Sequence, residues 1–147
     1  FGASGAEVHL IEIALGLEYW TNLHNGTLKR AWAKPRGRGK TKEPLPMAVG
    51  RFVGPAFTDF VGGDLDRWAE LFWNSYNSLK HAPAFEYDPY EVQTLADTGG
   101  LLLLGALLNR VAGNRDPMNA LTSSVRTQQL KQRVQELITR TNSDGWA

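Results

Sequence analysis

The sequence predicts an all-α domain, a four- to five-helix up-and-down bundle with a long basic loop between the first two helices. Apolar residues recur at three- and four-residue steps along most of the 147 residues, which is the period of an α-helix. No segment alternates apolar and polar residues as a half-buried strand does. The length is that of one ordinary domain, so we expect residues 1–147 to form a single unit.

The first predicted helix runs from Ala6 to about Asn22. Its apolar residues recur with helical spacing and therefore share a face. That face consists of Val8, Ile11, Leu15 and Tyr19, widened by Leu10, Ala14 and Leu17. The pair Asn25-Gly26 favours a stop, because glycine readily adopts the left-handed backbone that ends many helices.

The segment 27–46 differs sharply in composition from the rest of the chain. It holds seven of the 16 basic residues against one acidic residue. The seven are Lys29, Arg30, Lys34, Arg36, Arg38, Lys40 and Lys42. Its prolines and glycines exclude regular structure, so we expect a flexible loop. Two interpretations remain open: a solvated loop, or an arm that binds nucleic-acid phosphates with Trp32 available for base stacking.

The second and third helices are predicted on either side of Gly62-Gly63. Residues 47–61 should form a short or kinked helix, because Pro55 removes a hydrogen-bond donor at its middle. Asp64 is a suitable N-cap for a third helix that ends near His81. The apolar stripe of this helix is Leu65, Trp68, Phe72, Tyr76 and Leu79, and its polar stripe is Arg67, Glu70, Asn74, Asn77 and His81.

Two Asp-Pro pairs predict the starts of the last two helices. Asp88-Pro89-Tyr90-Glu91 resembles a capping box and opens a helix that stops at Gly113. This fourth helix is apolar on most sides and should be central. Asp116-Pro117 opens the last helix, whose apolar face is Val125, Leu130, Val134, Leu137 and Ile138.

Composition excludes several classes of function. The chain has no cysteine and three histidines, so we expect no metal centre and no cofactor. The longest apolar run, Leu101 to Leu108, is far shorter than the ~20 residues that span a bilayer, and no signal peptide is visible. We expect a cytoplasmic domain without membrane contact. The chain starts at Phe1 rather than Met, so we expect a fragment of a longer protein.

The end of the third predicted helix carries the candidate chemistry. Imidazole of His81 can take a proton from an RNA 2′-hydroxyl or give one to a leaving oxygen. Asn77 lies one turn earlier on the same face and can orient the ring or a phosphate. Lys80 adds a cation for negative charge on the phosphate. The alternative is structural, because a histidine in the last helical turn is favoured by the helix dipole.

The stretch Tyr76-Asn77-Ser78-Leu79-Lys80-His81, followed by a leucine-rich helix, resembles the HEPN domains, and most closely those of ApeA-like bacterial proteins. The resemblance implies an all-α bundle that dimerises, so that two copies of an Arg-x4–6-His motif form one ribonuclease site. It further implies RNA as a partner, a role in anti-phage defence or RNA processing, and an N-terminal sensor domain in the full-length chain.

The motif carries over only in part. His81 matches the motif histidine and Asn77 the polar residue that follows the motif arginine, but positions 74–76 hold Asn74, Ser75 and Tyr76. Arg67 lies on the same helical face as His81 but ~21 Å from it along the helix. Lys80 or an arm residue would have to supply the cation.

Three functions therefore stay open. The first is a metal-independent endoribonuclease with a degenerate motif. The second is a catalytically inactive module that dimerises and binds nucleic acid or a partner. The third is an all-α regulatory or interaction domain of a protein whose function resides in a removed N-terminal portion.

Overall fold

The computed structural model describes residues 5–23, 32–33, 41–81, 87–112 and 115–143. Within these ranges the chain is helical apart from one pair of two-residue strands, so the predicted all-α class is confirmed. The elements are α1 (Gly5–Leu23), β1 (Trp32–Ala33), β2 (Thr41–Lys42), α2 (Leu45–Val53), α3 (Pro55–Phe60), α4 (Leu65–His81), α5 (Pro89–Asn109), α6 (Pro117–Thr122), a 3-10 turn (Val125–Thr127) and α7 (Gln128–Ser143).

The expectation that segment 27–46 lacks regular structure is wrong at both of its described parts. β1 pairs with β2 in antiparallel register, with Trp32 opposite Lys42 and Ala33 opposite Thr41. Tryptophan and threonine favour extended backbone, which outweighs the neighbouring glycines and prolines over two residues. The segment ends early, because α2 starts at Leu45 with Pro46 in its first turn, where the missing N–H has no cost. Lys29, Arg30, Lys34, Arg36, Arg38 and Lys40 lie outside the described residues.

The described part of the chain contains seven α-helices rather than four or five. Gly54 has a φ of +100°, a conformation that residues with a Cβ rarely adopt, and Pro55 starts a new helix directly after it. The predicted kinked helix is therefore two helices, α2 and α3. The last predicted helix is also divided, into α6, the 3-10 turn and α7.

Three aspartates act as the predicted N-caps. The Asp64 carboxylate accepts a hydrogen bond from the Arg67 backbone N–H at 3.2 Å. Asp88 accepts from Tyr90 N at 2.9 Å, and Asp116 accepts from Asn119 N at 3.0 Å. Each cap satisfies a backbone donor that has no partner within its helix. Glu91, the glutamate of the predicted capping box, contacts α7. Its Oε1 accepts a hydrogen bond from the Arg140 guanidinium at 2.7 Å.

The central position of α5 is confirmed, since it packs against α1, α2, α4, α6 and α7. The α1 and α5 helices run parallel: His9 meets Gln93 near one end, and an added Cβ at Gly99 would meet Ile13. An alternating bundle of the five predicted helices would make the first and fourth antiparallel, so the relative direction expected from five helices is wrong. Because α2 and α3 are separate, three helices rather than two lie between α1 and α5 in the chain, and strict alternation of these helices makes α1 and α5 parallel.

The principal stripe that the sequence predicts for α1 is wrong, whereas Leu10, Ala14 and Leu17, the residues predicted to widen it, are buried. The buried side chains are Ala6, Leu10, Ala14, Leu17 and Trp20. Three members of the predicted stripe, Val8, Leu15 and Tyr19, are 43%, 51% and 68% exposed. Two sides of α1 are apolar, and the side with the alanines packs inward because small side chains let neighbouring helices approach closely.

A buried ion pair ties the end of the basic segment to α2. Both carboxylate oxygens of Glu43, a residue only 7% exposed, accept hydrogen bonds from the Arg51 guanidinium, one of them at 2.6 Å. The hydrogen bond to Glu43 raises the pKa of Arg51 above its ordinary value. A raised pKa means that this contribution to stability is complete below the pKa of the unfolded chain and is lost only in strong alkali.

Replacing Arg51 by methionine should therefore lower the free energy of unfolding by about 2 kcal/mol at neutral pH, because a buried carboxylate loses its cation. Glu43→Gln should cost less, since the Arg51 side chain is 43% exposed and can be solvated. Urea unfolding of both variants at pH 7 measures the difference. Equal losses of unfolding free energy in the two variants would show that the burial of Glu43 does not determine the cost of breaking the ion pair.

Candidate functional site

The last turn of α4 brings together the three residues that the sequence predicts as catalytic. Asn77, Lys80 and His81 all lie in this turn, and His81 is the final residue of the helix. The predicted apolar stripe anchors the helix: Trp68 and Phe72 are fully buried, and Tyr76 is 2% exposed. The opposite side faces outward, so His81 and Lys80 are exposed and Asn77 is half-buried.

Contacts within this turn fix Lys80 more than His81. The Lys80 ammonium lies 5.5 Å from the centroid of the Tyr76 ring, a cation–π distance. Tyr76 in turn packs against Trp73 with ring centroids 5.2 Å apart. Among the described residues, no side chain hydrogen-bonds to the His81 ring. The last turn of α4 therefore carries an exposed imidazole, a half-buried amide and an exposed ammonium.

Arg67 is not part of this arrangement. Sequence spacing assigns it to the polar stripe of α4, but it is only 8% exposed, and its guanidinium donates to Glu70 at 2.8 Å. The Nε and Nη2 atoms of Arg67 are themselves buried, so neighbouring elements cover the guanidinium as well as its aliphatic stem. Arg67 therefore cannot clamp a phosphate beside His81 in the same chain.

A second group of polar side chains was not predicted from the sequence. Gln93 Nε2 lies 2.9 Å from His9 Nδ1 and 2.8 Å from Asp97 Oδ1. Asp97 Oδ2 also accepts from the Arg133 guanidinium at 3.3 Å, and that guanidinium lies 5.9 Å from the Tyr90 ring centroid. The group joins α1, α5 and α7 through one carboxylate.

The Gln93 amide nitrogen bridges His9 and Asp97. It has two hydrogens, so one amide group can contact both His9 Nδ1 and Asp97 Oδ1. The His9 side chain is 38% exposed and that of Asp97 29%, so water screens the pair. Helical spacing in the sequence cannot predict the contact between His9 and Gln93, because these residues are 84 positions apart. A usable signal was present, because Asp97 is the only charged residue between Glu91 and Arg110 in an otherwise apolar helix.

Comparison with known proteins adds no relative. No family model, no curated protein and no solved structure matches the chain. The resemblance to HEPN domains therefore rests on the short stretch that ends at His81 and on the order of the helices.

The described ranges contain a cleft but neither a group of metal ligands nor a membrane-spanning helix. No group of three histidine, aspartate or glutamate side chains there is placed to hold a metal ion. No described helix combines the length and the hydropathy needed to cross a bilayer. A cleft of about 360 Å³ lies between α3, α6 and α7, lined by residues such as Asp59, Asn119 and Lys131. None of its lining residues belongs to α4.

Proposed function

We propose that the chain is an RNA-acting domain of the HEPN type whose α4 C-terminus contacts the RNA backbone. The observation that supports this is the exposed last turn of α4, where an imidazole, an amide and an ammonium lie within one turn. Each group has a use on a phosphodiester. The basic residues from Lys29 to Lys42 provide further phosphate contacts in this proposal.

In the catalytic form of the proposal, the chain is a metal-independent endoribonuclease. His81 takes the proton of a 2′-hydroxyl, which attacks the adjacent phosphorus, or gives a proton to the departing 5′-oxygen. Asn77 orients the ring or the phosphate by its amide, and Lys80 neutralises charge on the non-bridging oxygens. A second copy of the chain, as the HEPN resemblance implies, brings another such turn to the same RNA. A role in bacterial defence or RNA processing follows from the same resemblance.

The alternative is a module that binds RNA or a partner protein without cleaving it. The burial of Arg67 and its bond to Glu70 favour this form, because the guanidinium that clamps the scissile phosphate in the family has no counterpart at positions 74–76. In this form the exposed Lys80 still contacts a phosphate of the RNA, but no bond is cleaved.

The test is cleavage of single-stranded RNA in EDTA by the wild type, His81→Ala and Asn74→Ala. Asn74 is exposed on the same helix and lies outside the last turn, so its variant is the matched control. We expect His81→Ala to lower the cleavage rate by about 10²–10⁴-fold and Asn74→Ala to leave it nearly unchanged.

Binding measured by fluorescence anisotropy separates the two forms. RNA binding by the wild type without cleavage, weakened by Lys80→Ala, would support the binding module. Cleavage by His81→Ala at the wild-type rate would exclude the catalytic form. The absence of both binding and cleavage would exclude the proposal as a whole.

A further inference from the structure

Among the described residues, α1 and α5 together present a group of exposed apolar side chains. Six large apolar side chains on these two helices are between 44% and 81% exposed. They are Leu15, Tyr19, Leu23, Leu104, Leu107 and Val111, and we call this surface the α1–α5 face. All six lie in the C-terminal half of their helix or just after it. Isolated exposed apolar residues are ordinary, but a contiguous group of this kind marks an interaction surface.

The parallel packing of the two helices places the six residues on one side of the molecule. An added Cβ at Gly99 would lie 3.0 Å from Ile13, and one at Gly16 would lie 2.8 Å from Leu103, so the helices stay in register. The inward sides carry buried residues such as Leu17 on α1 and Leu102 on α5. The α1–α5 face is the opposite, outer side of the same two-helix layer.

The chemistry of the face favours a second copy of the chain as its occupant. The six residues include no ionisable group other than the phenol of Tyr19. A twofold interface places the same patch on both partners, and an uncharged apolar patch is complementary to itself. The charged residues Glu12, Glu18 and Arg110 lie beside the six along the two helices, where they can form a polar rim.

The size of the face fits the centre of a dimer interface. From their exposed fractions, the six side chains present on the order of 600 Å² of apolar surface, against the ~800 Å² that each partner contributes to a standard interface. Rim residues supply the remainder. Side chains of the α4 last turn present no comparable surface, since Tyr76 is 2% exposed and Leu79 is partly buried.

We propose that two copies of this chain associate through the α1–α5 face. The inference rests on apolar exposure and helix direction and does not depend on RNA activity. The family resemblance implies a dimer in which two motifs form one site, and the α1–α5 face is a contact surface that this resemblance does not specify.

The test is the mass of the protein in solution, measured by light scattering or sedimentation at about 1–100 µM chain. We expect the wild type to be a dimer. Leu107→Glu on α5 and Tyr19→Lys on α1 should each weaken association by at least 100-fold, because each places a charge at the centre of the interface. Two variants on different helices keep the test valid if one of them fails to fold, which far-UV circular dichroism would show.

The matched control is Val125→Glu. Val125 is 88% exposed in the 3-10 turn and lies outside the α1–α5 face, so the same kind of charge there should leave the dimer intact. A monomeric wild type over this concentration range would overturn the proposal. A dimer that persists in both face variants, or that is lost equally in Val125→Glu, would also overturn it.

Discussion

Replacing Trp68 by alanine is expected to lower the free energy of unfolding by about 3–5 kcal/mol, which would leave little of the stability of an ordinary domain. Trp68 is fully buried in α4. Its ring packs edge-on against Phe57 of α3 with centroids 5.0 Å apart, and lies 5.4 Å from the Phe72 ring. Alanine would leave a cavity where the indole now contacts the rings of Phe57 and Phe72. Urea unfolding at pH 7, followed by circular dichroism, measures the loss.

Trp68→Phe is the informative control. Within the described ranges the buried indole Nε1 has no hydrogen-bond partner, so the tryptophan carries the cost of a desolvated donor. Phenylalanine keeps one aromatic ring and removes that donor. The two effects oppose each other, and we expect the variant to remain within about 1 kcal/mol of the wild type. A loss as large as that of Trp68→Ala would contradict this explanation.

The second large effect is expected at two adjacent glycines of α5. An added Cβ at Gly99 would lie 2.5 Å from Phe72 Cε2, closer than real Cβ atoms approach their neighbours. Phe72 is fully buried and cannot move aside without displacing the core. Gly99→Ala should therefore cost about 1–3 kcal/mol through overpacking, even though alanine favours helix.

Gly100→Ala should have the opposite sign. Its added Cβ would meet only Ile13 Cδ1, at an ordinary 3.5 Å, so the helix propensity of alanine would raise stability by up to about 1 kcal/mol. Thermal unfolding of the two variants side by side tests the pair. Similar shifts in both would mean that α1, α4 and α5 do not cross as closely as described.

Local signals in the sequence predict much of this fold. The caps at Asp64, Asp88 and Asp116 depend only on nearby residues, and all three form. The buried stripe of α4 also follows from spacing, because only one side of that helix is apolar. The face of α1 does not follow, since two sides are apolar and the choice depends on what packs against them. The exposed side of α1, which carries Leu15 and Tyr19, forms part of the α1–α5 face.

The candidate site also combines features that the sequence predicts with features that it does not. Asn77, Lys80 and His81 share one helical turn, so their proximity could be predicted from spacing alone. The burial of Arg67 could not, because it depends on the helices that cover it. The contacts of Asp97 with His9 and Arg133 join three helices, and no local pattern specifies such contacts. Nucleic-acid binding by the six basic residues of segment 27–46 that lie outside the described ranges remains a prediction.

The parallel contact between α1 and α5 has a consequence for how the protein is made. His9 and Gln93 are 84 residues apart, so α1 leaves the ribosome long before its main partner exists. At a synthesis rate of ~5–20 residues per second, several seconds pass before α5 can cover its side of α1. Closing so long a loop also slows folding relative to bundles built from neighbouring helices. The newborn chain is therefore most vulnerable to aggregation, and most in need of a chaperone, before the ribosome completes α5.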